Sequence, residues 1–514
     1  MKKTITQSMA WLHTWAGLLF GWVLFGVLLS GSLACFYQEI DFWATPEISA
    51  RTNLSREALI DIAVKHLQDV APASRLWQIV LPSEREPVLR TAFRKQDGTM
   101  ATHRLIPDTG QVVTRNIRGG YFFYRYHYQL LIDYKKNMLG LFIVAACGVV
   151  MLVGSVSGLV IHKHIFRDFF TFRPWSSHMR SWLDAHNILG VLPLPFHIMM
   201  AYTGLVLYYW FYIPAAVNAL YGGDFATFRQ DALVDRYQEL KVTPGKSAAL
   251  YPVFPLIVKA EDVFGSAKAA SLYIRDPNRT NAVTEIWRTR TDQLSQRFFK
   301  VTYNGATGQE IRRDISSIPA VRVQSTVAAL HWIEWGGPIV RWIYFFCGLA
   351  GTATVATGLV LFAIKRQRLH KEAVFSRVVD VLNVASISGF CIACASFMWV
   401  ERLAPYDAVD RDLLVDKIFF AIWGLALAHA VWRRTNTAWV EQFAIAGLVC
   451  LFLPVTGWLV HRDLIETLRD QDWIRSGVDL TAIVMGAGFL VLAAYLHKRL
   501  LRTAVPSVAQ AGLA

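Results

Sequence analysis

Two histidines, His186 and His197, lie eleven residues apart in one long apolar stretch that runs from Trp182 to Trp210. In a straight α-helix, about 1.5 Å and 100° per residue put both imidazoles on nearly one face, about 16 Å apart along the axis. Ionisable side chains inside a membrane span are costly and usually mark a functional site. Two stacked histidines suit axial ligation of two haems by a helix bundle. The alternative is two neutral histidines hydrogen-bonded to neighbouring helices.

The composition of the chain indicates a membrane protein. Of its 514 residues, 54% are hydrophobic and only 18% are charged, which lies outside the range of ordinary globular proteins. The net charge of +14 does not indicate nucleic-acid binding, because the basic residues collect in short loops beside apolar spans. Six scattered cysteines give no disulfide framework. The C-x-x-C of Cys391 and Cys394 lies in an apolar helix, where small-residue packing is the favoured interpretation.

Hydropathy predicts eight spans, each long enough to cross a bilayer. They lie near residues 12–36, 138–161, 187–210, 339–364, 379–399, 414–432, 440–460 and 478–497. The first is predicted to be retained, because its apolar region is too long for a signal peptide and no A-x-A site follows. Lys and Arg concentrate in alternate loops, which places both termini in the cytoplasm. We therefore expect a multi-pass protein of the bacterial inner membrane.

The same pattern divides the chain into membrane and outer segments. The two long polar segments each combine a helix-like stretch with alternating strand-like runs and a turn. The predicted order is a first span in 1–36, an outer domain in 37–137, a span in 138–161, a cytoplasmic loop in 162–186, a span in 187–210, a second outer domain in 211–338, a span in 339–364, a cytoplasmic loop in 365–378 and a region of four spans in 379–514. The predicted fold class is an all-α polytopic membrane protein with two α+β periplasmic domains.

The first 365 residues contain two copies of a unit made of a span, an outer domain and a second span. At an offset of 173, residues of the first span recur in the third: His13 and His186, Gly17 and Gly190, Ser30 and Thr203, Gly31 and Gly204. At an offset of 200, residues of the second span recur in the fourth: Cys147 and Cys347, Ser157 and Thr357, Gly158 and Gly358. Parallel repeats of this kind predict a pseudo-twofold bundle of four helices.

These residues resemble a known family. The pattern H-x-x-x-G…S/T-G on spans one and three, S/T-G-L-V at the ends of spans two and four, and a T-G-Q turn in each outer domain are similar to the PepSY-associated transmembrane family over about residues 8–368. Members characterised as iron–siderophore reductases are inner-membrane b-type cytochromes with two haems in the four-helix bundle. The resemblance implies two PepSY-like outer domains and two haem b groups, and the last four spans fall outside it.

Three histidines are candidates for the inner haem, at comparable depth on the cytoplasmic side: His13, His186 and His162. Bis-histidine ligation needs one imidazole from each of two helices. The duplication makes His13 and His186 pseudosymmetric, so this pair is favoured. His162 is the reserve, because its repeat position is Phe362.

For the outer haem, His197 lies deeper in the bundle and needs a partner from the outer face. His331 and His127 are the candidates, and His331 is favoured. An unbroken helix would hold either about 15 Å outside the apolar slab, although the stretch Gly336 to Pro338 offers a bend. The expected axial ligands are therefore His13, His186, His197 and His331, and no catalytic residue is identified.

The chain contains no Walker loop, dinucleotide-binding G-x-G-x-x-G, H-E-x-x-H or G-x-S-x-G motif. Electrons must then come from a separate donor, a membrane quinol or a cytoplasmic reductase. The resemblance implies outward electron transfer through two haems to a periplasmic ferric–siderophore or other ferric chelate. Reduction would release Fe(II), because hard oxygen ligands bind it less tightly.

Three other classes of function stay open. A haem-free protein could use its PepSY-like domains to bind peptides or restrain a protease. A transporter subunit for siderophore uptake is suggested by internal repeats around a polar midplane, although the repeated spans lack acidic midplane residues. A cytochrome could also serve another acceptor, such as a sulfoxide or cupric ion.

Overall fold

The computed structural model describes residues 4–133, 136–162, 173, 177–207, 214–224, 227–228, 245–294, 299–314, 319–369, 374–433 and 435–504. The chain divides into two compact units. The membrane unit comprises residues 1–46, 116–202 and 343–514, and the sheet unit comprises residues 47–115 and 203–342. Each unit has its own apolar core.

In chain order the helices are α1 (Ile5–Ala34), α2 (Tyr37–Trp43), α3 (Arg56–Val70), α4 (Tyr121–Gln129), α5 (Leu139–Ile161), α6 (His178–Val191), α7 (Leu194–Leu207), α8 (Ala215–Tyr221), α9 (Val253–Phe264), α10 (Pro319–Trp332), α11 (Gly337–Leu369), α12 (Val374–Val384), α13 (Phe390–Leu403), α14 (Arg411–Arg433), α15 (Thr435–Leu451), α16 (Val455–Leu459), α17 (Leu464–Arg469) and α18 (Trp473–Ala504). The strands are β1 (Leu76–Val80), β2 (Leu89–Arg94), β3 (Met100–Leu105), β4 (Ala269–Arg275), β5 (Val283–Arg288), β6 (Lys300–Asn304) and β7 (Glu310–Asp314).

Long apolar helices make up most of the membrane unit. Among the described residues, six stretches are long and apolar enough to cross a membrane: Ile5–Ala34, Leu139–Ile161, Gly337–Gln367, Val374–Leu403, Arg411–Arg433 and Trp473–Leu501. Each has about 20 residues or more, which is the length that a bilayer requires. The chain is therefore a multi-pass membrane protein.

The third predicted span, residues 187–210, is not one straight helix. α6 and α7 are bent by 61° at a short break that contains Leu192 and Pro193. Proline lacks a backbone N–H and cannot continue the ladder of the preceding helix. His186 lies on α6 and His197 lies on α7. The common helical face expected for these two histidines is therefore absent.

The predicted span at 440–460 also differs from expectation. α15 has 17 residues, and a turn ending at Pro454 separates it from the five-residue α16. Over the described ranges, six helices are long and apolar enough to span, or seven if the bent pair α6 and α7 forms one span. The predicted number was eight. Proline again interrupts a run that is apolar enough to span by composition.

A π-helical turn, Ala385–Gly389, joins α12 to α13 in the C-terminal region. The Ala385 carbonyl accepts a hydrogen bond from Trp423 Nε1 at 2.9 Å. Ser388 Oγ donates to Gln442 Oε1 at 2.9 Å, and Gln442 Nε2 donates to the Ala426 carbonyl at 2.7 Å. These bonds satisfy polar groups that an apolar interior would otherwise leave without partners.

The sheet unit is built on one antiparallel sheet of seven strands in the order β3-β2-β1-β4-β5-β6-β7. β1 comes from the first polar segment and β4 from the second, and they pair with Trp77 opposite Ile274 and Ile79 opposite Leu272. The two segments predicted as separate α+β domains therefore share one continuous sheet.

Helices α3 and α9 cover one face of this sheet. Alternating strand residues such as Ile79, Leu272 and Ile286 are fully buried in one core with Ile60 of α3 and Leu256 of α9. Burying such a side chain contributes about 1.5–3 kcal/mol. The period-two pattern that suggested strands thus places its apolar residues in one shared core.

Buried charged side chains of the C-terminal region contact the segments beside α2 and α4, within the membrane unit. Glu401 and Arg411 form a salt bridge of 3.0 Å, with side chains 0% and 1% exposed. Arg411 also donates to the Asn116 carbonyl at 2.6 Å. The Arg402 guanidinium lies 3.8 Å from the centre of the Trp43 ring and donates to the Trp43 carbonyl. Removing one partner would leave an uncompensated charge in a medium of low dielectric constant.

Replacing Glu401 by Gln leaves Arg411 buried without its counter-ion. We expect a loss of about 3–5 kcal/mol in the free energy of unfolding, measured as a lower thermal midpoint in detergent. Glu441→Gln is the matched control, because its pair with Arg433 is 31% and 46% exposed and contributes about 1 kcal/mol or less. Equal shifts for the two variants would contradict this account.

Candidate functional site

A cavity of about 770 Å³ lies inside the membrane unit. Its walls come from α1, α5, α6, α7 and α11, the helices that carry the duplicated pattern. Small-molecule and cofactor sites occupy about 300–1,000 Å³. Four histidines line the cavity: His13, His162, His186 and His197.

His13 and His186 make equivalent hydrogen bonds in the two halves of the repeat. Nδ1 of His13 lies 3.1 Å from the Gly154 carbonyl oxygen and 3.0 Å from Ser157 Oγ. Nδ1 of His186 lies 2.9 Å from the carbonyl oxygen of residue 354 and 3.2 Å from the hydroxyl of residue 357, both threonines. The partners of the two histidines are therefore related by the offset of 200.

The carbonyl acceptors fix the tautomer of both rings. A carbonyl oxygen only accepts, so Nδ1 of His13 and of His186 carries the proton and Nε2 keeps its lone pair. Within the part of the chain that the structure describes, neither Nε2 atom has a hydrogen-bond partner. Metal-binding histidines are commonly held in this way, with the second nitrogen donating to a backbone carbonyl.

The two rings are close and perpendicular. The centres of the His13 and His186 rings lie 6.1 Å apart, with an angle of 85° between their planes. Bonds of about 2.0 Å from two imidazoles on opposite sides of one metal ion would put the ring centres about 6 Å apart. The observed distance between the ring centres is close to that value.

Glycines keep the cavity open along α1 and α5. A Cβ built on Gly17 or on Gly154 would meet no atom within 4 Å, and both residues line the cavity. A Cβ on Gly21, by contrast, would lie 2.9 Å from Leu359 Cδ2. Each G-x-x-x-G pair thus contributes to the cavity, and Gly21 also permits close packing of α1 against α11.

His162 lines the same cavity, but the hydrogen bonding of its two ring nitrogens differs from that of His13 and His186. Nδ2 of Asn187 lies 3.1 Å from His162 Nε2 and donates to it, so the lone pair of Nε2 is occupied. Nδ1 is buried and has no partner among the described residues. His162 therefore differs from His13 and His186 in which nitrogen is free.

His197 is 5% exposed and uses the opposite nitrogen from His13 and His186. Its Nε2 lies 3.2 Å from the Cys347 carbonyl oxygen. A Cβ built on Gly351 would lie 2.9 Å from the same nitrogen. Because Nε2 donates, only Nδ1 of His197 would be free for a ligand in the neutral ring.

His127, on α4, repeats the arrangement of His13. Its Nδ1 lies 2.8 Å from the Val27 carbonyl oxygen, which also accepts from Ser30 Oγ at 3.0 Å. A Cβ on Gly31 would lie 2.5 Å from that nitrogen. The carbonyl, the hydroxyl three residues later and the glycine four residues later correspond to Gly154, Ser157 and Gly158 around His13.

His331 belongs to the sheet unit and packs on Thr203 and Gly204. Nδ1 of His331 lies 3.1 Å from Thr203 Oγ1, and a Cβ on Gly204 would lie 2.9 Å from its Cε1. These two residues are the repeat equivalents of Ser30 and Gly31. The helix ends just after His331, because α10 stops at Trp332. The following Gly336 and Gly337 have positive φ angles of +81° and +69°.

The Ser-Gly and Thr-Gly dipeptides, which in the sequence mark only the repeat, also indicate where the histidines pack. Each accompanies a histidine on a neighbouring helix: Ser157-Gly158 with His13, Thr357-Gly358 with His186, Ser30-Gly31 with His127 and Thr203-Gly204 with His331. Glycine leaves space for an imidazole between helices. This contact distinguishes these four histidines from His162, and His197 lacks the accompanying hydroxyl.

Basic side chains also line the cavity. Arg180, Lys365 and Arg366 are among its lining residues, and Arg180 pairs with the buried Asp184 at 3.2 Å. Nε of Arg366 is buried without a hydrogen-bond partner among the described residues. These cations suit an anionic group on a ligand of the cavity.

Comparison with known proteins adds two findings. The family described as the PepSY-associated TM region matches residues 10–365, which is more than half of the chain. An uncharacterized protein of Pseudomonas aeruginosa is 23% identical over 393 residues, which cover 72% of this chain and 95% of that protein.

Two Gly→Ala variants of membrane helices test the packing of His197. In Gly351→Ala the new methyl would lie 2.9 Å from His197 Nε2, so we expect a loss of about 1–3 kcal/mol in the free energy of unfolding. Gly424→Ala, on α14, meets no atom within 4 Å and should be neutral or stabilise its helix by up to about 1 kcal/mol. Thermal unfolding in detergent compares them, and an unchanged midpoint for Gly351→Ala would refute the contact.

Proposed function

Because the chain belongs to the PepSY-associated transmembrane family, as its residues predicted, we propose that it is a b-type cytochrome of the bacterial inner membrane with two haems. We propose that it passes electrons from a quinol or cytoplasmic reductase to a periplasmic ferric–siderophore or other ferric chelate. In this proposal both termini are cytoplasmic, as the distribution of Lys and Arg predicts.

The arrangement of His13 and His186 carries the proposal. Their rings are 6.1 Å apart, each Nδ1 donates to a carbonyl of a neighbouring helix, and each Nε2 is free within the described chain. Histidines that only held two helices together would also donate a hydrogen bond from Nδ1. Such a structural role would not require the two rings to meet at this spacing over a cavity of about 770 Å³.

The lining residues fit a haem chemically. His13 and His186 would hold the iron through Nε2, and Gly17 and Gly154 would let a flat macrocycle approach the backbone. Lys365 and Arg366 would neutralise propionate carboxylates. A haem held there would supply one-electron transfer at a potential set by its axial ligands and by burial.

The ligands of a second haem would come from the remaining histidines. His127 and His331 each share with His13 and His186 the contact with a Ser-Gly or Thr-Gly dipeptide. His127 Nδ1 also lies against the Val27 carbonyl oxygen, as Nδ1 of His13 lies against that of Gly154. His197 differs, because its Nε2 donates to the Cys347 carbonyl. The expected ligands of the second haem, His197 with His331 or His127, stay a prediction.

Reduction of a ferric chelate needs one electron for each Fe(III). The product Fe(II) is softer and binds oxygen donors less tightly, so the chelate releases it. The chain itself carries no nucleotide-binding motif, so the electrons come from outside it, and a two-electron donor would supply two turnovers.

The test is an optical one on the full-length protein produced with ample haem. We expect reduced-minus-oxidised b-type bands and two haems per chain by pyridine haemochrome assay. His13→Ala and His186→Ala should each lower the content to about one haem, because bis-histidine ligation needs both rings. His162→Gln is the matched control and should keep two.

A folded but colourless protein would reject the cytochrome and favour a haem-free binding protein or transporter subunit. A separate assay tests the electron acceptor. Anaerobic protein is reduced with dithionite and then mixed with a ferric chelate. Reoxidation of the bands together with Fe(II) trapped by a chromogenic chelator supports the proposed acceptor. Bands that stay reduced reject it.

A further inference from the structure

Two histidines of the sheet unit share one hydrogen bond. His66 lies on α3 and His103 on β3, and His66 Nε2 is 2.9 Å from His103 Nδ1. Their ring centres lie 5.2 Å apart with 68° between the planes. Neither residue belongs to the membrane cavity or to the duplicated histidine pattern. An imidazole pair at this separation is a candidate metal site.

The surroundings of the pair are half-buried and contain a polar atom without a partner. The His103 and Phe93 rings pack nearly perpendicular to each other, with ring centres 5.4 Å apart. Thr91 is paired directly opposite His103 in the sheet, so both side chains lie on the same face. Thr91 is 1% exposed, and its Oγ1 has no hydrogen-bond partner among the described residues. A buried hydroxyl of this kind calls for a water molecule or an ion nearby.

Both rings favour the neutral form that binds metals. Burial lowers the pKa of His66, the charge of His103 lowers it further, and Asp69 opposes the shift. Burial and the charge of Lys95 lower the pKa of His103. A hydrogen bond between two imidazoles needs one N–H and one lone pair, so one of the two facing nitrogens carries a proton. When a metal binds, that proton would move to the other nitrogen of the same ring, and both rings would stay neutral.

The nitrogen–nitrogen distance matches one coordination geometry better than another. Two metal–nitrogen bonds of about 2.0–2.1 Å at a right angle place the nitrogens about 2.9 Å apart, whereas a tetrahedral angle places them about 3.3 Å apart. The observed 2.9 Å fits adjacent positions of a square plane. Among the divalent ions that imidazole binds, Cu²⁺ combines that geometry with the highest affinity.

We propose that His66 Nε2 and His103 Nδ1 bind a Cu²⁺ ion in adjacent positions of a square-planar site. In the described chain no group of three or more His, Cys, Asp or Glu side chains could hold a metal, so the remaining positions take water or a small ligand. The site is therefore open and exchangeable. It does not depend on the proposed haems.

The test uses full-length, oxidised, tag-free protein that has been stripped with a chelator and then titrated with Cu²⁺. We expect one bound ion whose paramagnetic resonance spectrum is axial and shows coupling to two imidazole nitrogens. Oxidised haem iron, if present, resonates in a different field region. His66→Gln and His103→Gln should each weaken Cu²⁺ binding by about tenfold or more, because one of two nitrogen bonds is lost.

His461→Asn is the matched control, since His461 is exposed and belongs to the other unit. It should bind Cu²⁺ as the unmodified protein does. Nitrogen coupling in the unmodified protein makes the result independent of how the variants fold. Failure to bind Cu²⁺, equal binding by all variants, or tighter binding of Zn²⁺ than of Cu²⁺ would overturn the site and leave only a proton-sharing pair.

Discussion

An imidazole inside a membrane must find an acceptor for its N–H within the protein, because no water is available there. In this chain a backbone carbonyl on a neighbouring helix supplies that acceptor, at Gly154 for His13 and at Val27 for His127. A serine hydroxyl three residues later shares the same carbonyl, and a glycine four residues later makes room for the ring. This one constraint sets the helix spacing and, for His13 and His186, decides which ring nitrogen remains free for chemistry.

The duplication places a histidine under this constraint in each half of the repeat. It also completes the sheet. A three-stranded β1–β3 sheet alone would leave the edge of β1 unpaired, and unpaired edges invite association with other chains. Pairing β1 with β4 covers that edge from within the molecule. Helices α3 and α9 then cover the same face, and their apolar residues join one core. The outer segments of the two copies thus form one structural unit, not independent domains joined by linkers.

The C-terminal region lies outside the family match, yet it packs into the membrane unit through specific polar contacts. Trp22 Nε1 donates to Asn383 Oδ1 at 2.8 Å, and Asn383 Nδ2 donates to the Leu359 carbonyl at 3.2 Å. Leu359 lines the cavity. Arg402 adds a bond to the Trp43 carbonyl. Because buried polar groups must stay paired, these contacts hold the helices around the cavity in place.

The sequence by itself determined the membrane class, the duplication, the family and the set of candidate histidines, because apolar length and repeat offsets are local properties of the chain. It also paired His13 with His186, since both occupy one repeat position. Only the tertiary structure decided the bend between α6 and α7, the single seven-stranded sheet and the tautomer of each ring. Those features depend on which carbonyl or strand meets a given residue across the fold, as Cys347 meets His197, and no local pattern encodes that contact.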